Sequence, residues 1–274
     1  MNHHPAPLSA PASERRLLLV LAGIQLTHIL DFMIMMPLGP QLIAALRIDT
    51  HEFGLLLSSY TFTAAASGLL AAMYVDRFDR RKLMLVLYML FTVATLACAL
   101  APGFSALLVA RAAAGAFGGI LGALVQTVIA DVVPFERRGQ AMGKVMAAFA
   151  TATVAGVPLG LLLAEHLPML GWRAPFLFIV AISLVVWFMG HRALPPLTAH
   201  LEGAVPGNAL RRIIDIAREP AHLHAFAFVA LMVATGFTVI PYIALYYASN
   251  LGLSGNFITL VYLAGGAATL FSSP

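Results

Sequence analysis

Charge is what this sequence lacks. Only 10% of its 274 residues are Asp, Glu, Lys or Arg, against about a quarter in a soluble domain. A chain that is 61% hydrophobic, with a mean hydropathy of +0.90, has too little polar surface to solvate a globular fold. Cysteine is lacking too. The single Cys98 lies inside an apolar run, which excludes a disulfide framework and a cysteine-based metal site. No P-loop, H-E-x-x-H or G-x-S-x-G motif occurs, and no nucleophile–base pair or metal set falls at one depth, so an enzyme is not expected. No cleavable signal peptide is expected either, because residues 1–13 are polar and the first apolar run is long enough to span. His3 and His4, in that tail, read as incidental, and no cofactor or metal is implied. The basic excess, 16 Lys and Arg against 12 Asp and Glu, reports membrane topology rather than nucleic-acid binding.

What is present is a succession of apolar runs, each near the roughly 20 residues that a bilayer core demands. They predict an all-α, polytopic membrane protein with spans at roughly 16–38, 53–75, 82–100, 104–132, 142–165, 174–190, 222–248 and 256–273. Residues 1–15 read as a tail, 16–190 as a six-helix bundle, 191–221 as a linker richer in Pro, His and charge, and 222–274 as two helices of a second, partial bundle. Arg15, Arg16, Arg77, Arg80, Arg81, Lys82, Arg137, Arg138, Arg192, Arg211, Arg212 and Arg218 fall on the side of the tail and linker, and only Arg47 and Arg173 on the other. That bias predicts a cytoplasmic N-terminus. Small residues at helical spacing predict close helix contacts: Tyr60, Ala64, Gly68 and Ala72; Gly115, Gly118, Gly119 and Gly122; and Ala148, Ala152, Gly156 and Gly160. Helix packing is the plain reading of such faces, and sliding of one against another is the functional one.

Two charges lie well inside spans, where each is costly and needs a reason. Asp31 is about 15 residues up the first span, roughly 22 Å at about 1.5 Å per residue. Arg111 is about 7 residues down the fourth, roughly 10 Å below the opposite surface. The depths match, which predicts that the two face one cavity as a pair or as alternating partners. A carboxylate that moves between a desolvated setting and a guanidinium changes its hold on a proton. A static ion pair joining two helices is the alternative. Gln25 and His28 share the Asp31 face, with Phe32 and Met35 further up. His28 is read either as a proton relay or as a hydrogen-bonding cavity wall. Gln126 roughly continues the Arg111 face. Tyr242, with Tyr246, Tyr247 and Pro241, reads as a substrate contact or as an interfacial aromatic belt.

These features together resemble the Major Facilitator Superfamily, in particular its drug:proton antiporter branch and the related sugar-efflux permeases. The loop after the second span resembles the signature G-x-x-x-D-R-x-G-R-K through Ala72, Asp76, Arg77, Asp79, Arg80 and Arg81, with both signature glycines replaced, by Ala72 and Asp79. The resemblance implies a charge network of Asp76, Arg77, Arg80 and Arg81, with Asp131 as a further member, that latches the two bundles; an extra acid at Asp79 is expected to rewire it. Arg111 with Gly115 resembles the fourth-span motif, whose arginine is implicated in proton coupling. Gly156, Pro158 and Gly160, in the run GVPLG, resemble the fifth-span antiporter motif in its sugar-efflux form. Trp172 and Arg173 fit the approach to the sixth span. The family has twelve spans. Gly266 precedes Pro274 by the eight residues that separate Gly68 from Asp76, so a partial sequence stopping where the second half's equivalent loop begins is expected. The function implied is proton-coupled efflux of drugs, sugars or metabolites by alternating access in a bacterial inner membrane. Its partners would be a small-molecule substrate, protons and the lipid bilayer, with no nucleic acid. A facilitator or uniporter of the same fold, or a non-transporting membrane fragment, are the alternatives.

Overall fold

The structure, a computed structural model, describes residues 11–198, 201, 218–253 and 256–272. His3, His4, Arg211, Arg212 and Pro274, weighed above, lie outside them. Every described element is a helix: α1 (Pro11–Ile34), α2 (Gly39–Leu46), α3 (Thr50–Ala71), α4 (Arg80–Leu100), α5 (Phe104–Val132), α6 (Phe135–Thr151), α7 (Val157–His166), α8 (Ala174–Ala193), α9 (Pro220–Val239), α10 (Ile243–Leu251) and α11 (Asn256–Ser272). Among the described residues, seven stretches are long and apolar enough to cross a bilayer, with α6–α7 and α9–α10 each counting as one. The eighth expected span, α11, is helical over 17 residues. This is an all-α, multi-pass membrane protein.

Three local departures from the expected spans have chemical causes. The first span was expected to reach residue 38 but ends at Ile34. Pro37 lacks a backbone donor and Pro40 suits a first helical turn, so the chain restarts as the short α2, which closes on a left-handed Arg47 at φ 54°. The fifth span contains a π-turn at Ala152–Gly156, directly before Pro158, whose ring would clash with the carbonyl four residues back in an unbroken α-helix. The seventh breaks into a 3₁₀ turn at Ile240–Tyr242, around Pro241. The start of α3 is fixed by a capping box: the Glu52 amide donates to Asp49 Oδ1 at 2.7 Å, and the Asp49 amide to Glu52 Oε2 at 3.0 Å.

α5 is the hub, with α3 along one side and α4 along another, while α1 packs on α6 and α8. Buried side chains fall into two apolar clusters. One, around Ile34, Leu38, Phe53, Leu107 and Phe176, fills the end of the bundle that carries α2, called here the far end. The other, around Leu17, Leu21, Tyr88, Phe91, Leu121 and Val128, fills the end that carries the basic loops, the charged end. Phe32 packs against both. α11 lies on the π-turn and α7, and α10 on α2. α9 meets the bundle only toward the far end: residues 218–235 are all exposed, whereas Phe237 packs on Phe32, the two rings tilted with centroids 5.5 Å apart.

Candidate functional site

Asp31 from α1 and Arg111 from α5 meet where the two apolar clusters join. Arg111 Nη1 donates to Asp31 Oδ2 at 2.8 Å and to the Asp31 carbonyl at 3.3 Å. Both side chains have no exposed surface. The guanidinium lies over the Tyr60 ring, 4.4 Å from its centroid, a cation–π contact that partly replaces lost solvation. Thr95 of α4 faces the same carboxyl group, yet Thr95 Oγ1, Asp31 Oδ1, Arg111 Nε and Arg111 Nη2 have no aligned hydrogen-bond partner. Two ions cost several kcal/mol each to desolvate. One bond between the side chains, a second to the Asp31 carbonyl and spare donors leave the pair only partly satisfied.

One turn toward the charged end from Asp31 comes His28, and a further turn on comes Gln25. His28 Nδ1, Gln25 Oε1 and the Tyr60 hydroxyl are buried and also lack an aligned partner. The glycines of α5 divide between two neighbours. Gly115 and Gly119 lie against the backbone of α3, at Tyr60 and Ala64, while Gly118 and Gly122 lie against the His28 ring. The α3 face that packs is therefore Tyr60, Thr63, Ala64 and Ser67, with Thr63 and Ser67 each donating at 2.7 Å to α5 carbonyls, those of Ala112 and Ala116. Gly68, placed on that face by spacing, has open space at its Cβ position, and Ala72 is exposed. In the fifth span, Gly156 and Gly160 receive Leu30 and Ile34 of α1, with the buried Pro158 between them.

Toward the far end a cavity of about 460 Å³ is lined by Phe32, Met36, Leu57, Ser58, Phe237 and Tyr242, among others. Met36 stands where Met35 was expected. Both methionines are buried in the far-end core, and of the two it is Met36 that lines the cavity, because α1 stops at Ile34 and the turn that follows leaves the helical phase. Tyr242 closes the cavity with its hydroxyl beside Gly54. Gln126 sits apart from the ion pair and touches Met146 Sδ at 3.5 Å.

At the charged end Arg80, almost fully buried, joins two acids: Nη2 to Asp76 Oδ1 at 3.1 Å and Nε to Asp131 Oδ2 at 2.5 Å. The second is a contact of charges, not an aligned hydrogen bond. Arg81 donates to the His191 carbonyl at 2.7 Å, and Arg77 lies over Tyr74. Asp79 does not enter this network. It caps α4, accepting from the Arg81 amide at 2.9 Å, and holds the Leu197 amide at 3.4 Å. An acid at a helix start is satisfied by the exposed amides, so it leaves the arginines alone. Sequence reasoning missed a further tie, Arg137 to Glu14 at 2.9 Å, because the two are 123 positions apart and belong to no common motif.

The profile of the Major Facilitator Superfamily matches residues 21–274. Among solved structures, a bacterial homolog to the human lysosomal transporter Spinster, in an inward-facing and unoccupied conformation, is similar with a TM-score of 0.77 and 17% identity, over 95% of this chain and 60% of that one. A D-xylose-proton symporter gives 0.72 and 18%, over 94% and 66%. The inward-open xylose transporter XylE from E. coli gives 0.65 and 16%, over 94% and 67%. The likeness at these identities is one of fold, and this chain spans about 60% of the length of the first of these structures.

Proposed function

Because this chain belongs to the Major Facilitator Superfamily, a family of transporters and not of enzymes, we propose that it acts in secondary active transport, as a proton-coupled efflux antiporter working by alternating access. The observation that supports this reading is the Asp31–Arg111 pair, fully buried between two spans and only partly satisfied. In the cycle, Asp31 takes up a proton and releases Arg111 in one conformation. It gives the proton up and re-forms the pair in the other. His28 lies on the same face, one turn toward the charged end. Asp76, Arg77, Arg80, Arg81 and Asp131 latch that end. The basic residues gathered there support a cytoplasmic placement of this end, in this reading within a bacterial inner membrane. Gln25, Phe32, Met36 and Tyr242 line the substrate path, with Gln126 further down, and the substrate is a drug, sugar or metabolite. Gly115, Gly156, Pro158 and Gly160 let the helices slide past one another.

Asp31→Asn abolishes proton-driven efflux in this account. Cells carrying that variant accumulate the transported drug or sugar to the level of cells without the protein; accumulation unchanged from wild type contradicts it. The complete burial of both charges also favours a second reading, a uniporter in which the pair is a static strut. Transport that continues undiminished with a protonophore present supports that reading instead.

A further inference from the structure

We propose that Tyr60 links the Asp31–Arg111 pair to His28, forming a proton relay along one face of α1, and that Gly118 is the residue that lets the link form. The inference rests on the reading of Asp31 as a proton carrier.

Tyr60 is 3% exposed, and its two ends meet different partners. The ring lies under the Arg111 guanidinium. The hydroxyl reaches α5 at Gly118, where a Cβ would stand 2.7 Å from it and 2.7 and 3.1 Å from Cδ2 and Nε2 of His28. Phenol and imidazole thus converge on one point that only glycine leaves open. This is not helix packing. Gly115 and Gly119 meet the backbone of α3, whereas at Gly118 the nearest atoms belong to these two polar side chains alone. The Tyr60 hydroxyl is buried with no aligned partner, as are His28 Nδ1 and, one turn further on, Gln25 Oε1. Buried polar atoms without partners are uncommon. Here they fall in order from the ion pair toward the charged end. Among the described residues, Tyr60 of α3 faces the imidazole with ring centroids 6.4 Å apart, and Asp31 lies three residues further along its own helix. α4 presents the Phe91 ring, 6.2 Å from the imidazole, and turns the Tyr88 hydroxyl away to Thr27 at 2.8 Å.

The Asp31 carboxylic acid loses its proton to the relay and becomes a carboxylate. Asp31 Oδ1 and the Tyr60 hydroxyl make no hydrogen bond in this conformation; as the pair opens they come within reach of each other, and the Tyr60 oxygen accepts that proton while passing its own to the neutral imidazole, which becomes imidazolium. Arg111 is then recaptured by the new carboxylate. Tyr60 ends as it began, with its ring still holding the guanidinium, so it serves as a positioning and relay residue.

The test is the transient current that follows a pH jump across proteoliposomes containing the full 274-residue chain, a readout that needs no substrate. Tyr60→Phe keeps the ring and removes only the hydroxyl. It should slow the transient at least tenfold and leave the total charge moved unchanged. His28→Gln and Gly118→Ala should do the same. Gly122→Ala, whose Cβ would rest at 3.6 Å from the His28 ring, should behave as wild type. A Tyr60→Phe or His28→Gln transient at the wild-type rate overturns the relay, provided that Asp31→Asn abolishes the current. If Asp31→Asn leaves the current intact, the reading of Asp31 falls and the relay with it.

Discussion

Arg111 heads the largest side chains with no exposed surface among the described residues, and Asp31 is its one ionic partner there. Removing one member of such a pair strands the other charge in a medium that cannot solvate it, at a cost of about 3–5 kcal/mol. Asp31→Ala should therefore lower the unfolding midpoint of the protein in nanodiscs, and adding Arg111→Met should restore most of the loss. A double variant as unstable as Asp31→Ala alone would mean that the pair is not the source of the strain. Both residues were legible in the sequence because a charge inside an apolar run is conspicuous, and the rise of a helix fixes its depth. Tyr60 was legible only as one position of a small-residue face. A phenol in an apolar helix looks like any core aromatic until the guanidinium above it and the imidazole beside it are in place. Met35 and Met36 could not be told apart, because the end of α1 decides which of them faces the cavity.

Helix contacts carry the next level of information. Glycine spacing on α5 announced a close approach, but not that it faces two neighbours, the backbone of α3 at Gly115 and Gly119 and the His28 ring of α1 at Gly122, with Gly118 between His28 and the Tyr60 hydroxyl. Partner identity is a property of the assembled bundle, and a single helix's periodicity does not contain it. A Cβ at Gly119 would run into the backbone of Ala64, while one at Gly68 meets nothing within 4 Å. Gly119→Ala should thus cost about 1–3 kcal/mol through overpacking, and Gly68→Ala almost nothing. Thermal unfolding of the two variants checks this, and equal midpoints would refute the division of faces. The breaks at the π-turn and at Pro241 were missed as breaks although the prolines were visible. A proline forbids one hydrogen bond, and only the surrounding packing decides whether the helix kinks, bulges or stops.

The whole molecule has one end held together and one end held by charge. At the far end Phe237 meets Phe32, Tyr242 meets Gly54, and Leu245 lies 3.2 Å from the Cβ position of Gly39. At the charged end α9 stands clear of the bundle, and the Arg80 network ties the loops of the first spans. Because Leu245 Cγ lies 3.2 Å from the Cβ position of Gly39, Gly39→Cys and Leu245→Cys, with Cys98 changed to Ser, should place the two sulfurs close enough to bond. Mild oxidation should cross-link them and, in an alternating-access cycle, arrest transport. Failure to cross-link would show that the far end does not close this way. The central claim is that Asp31 gains and loses a proton within the bundle. The pH-induced infrared difference spectrum of the reconstituted protein tests it most directly. The account predicts a carboxylic-acid carbonyl band on acidification that is absent from Asp31→Asn. The same band in both proteins would contradict it.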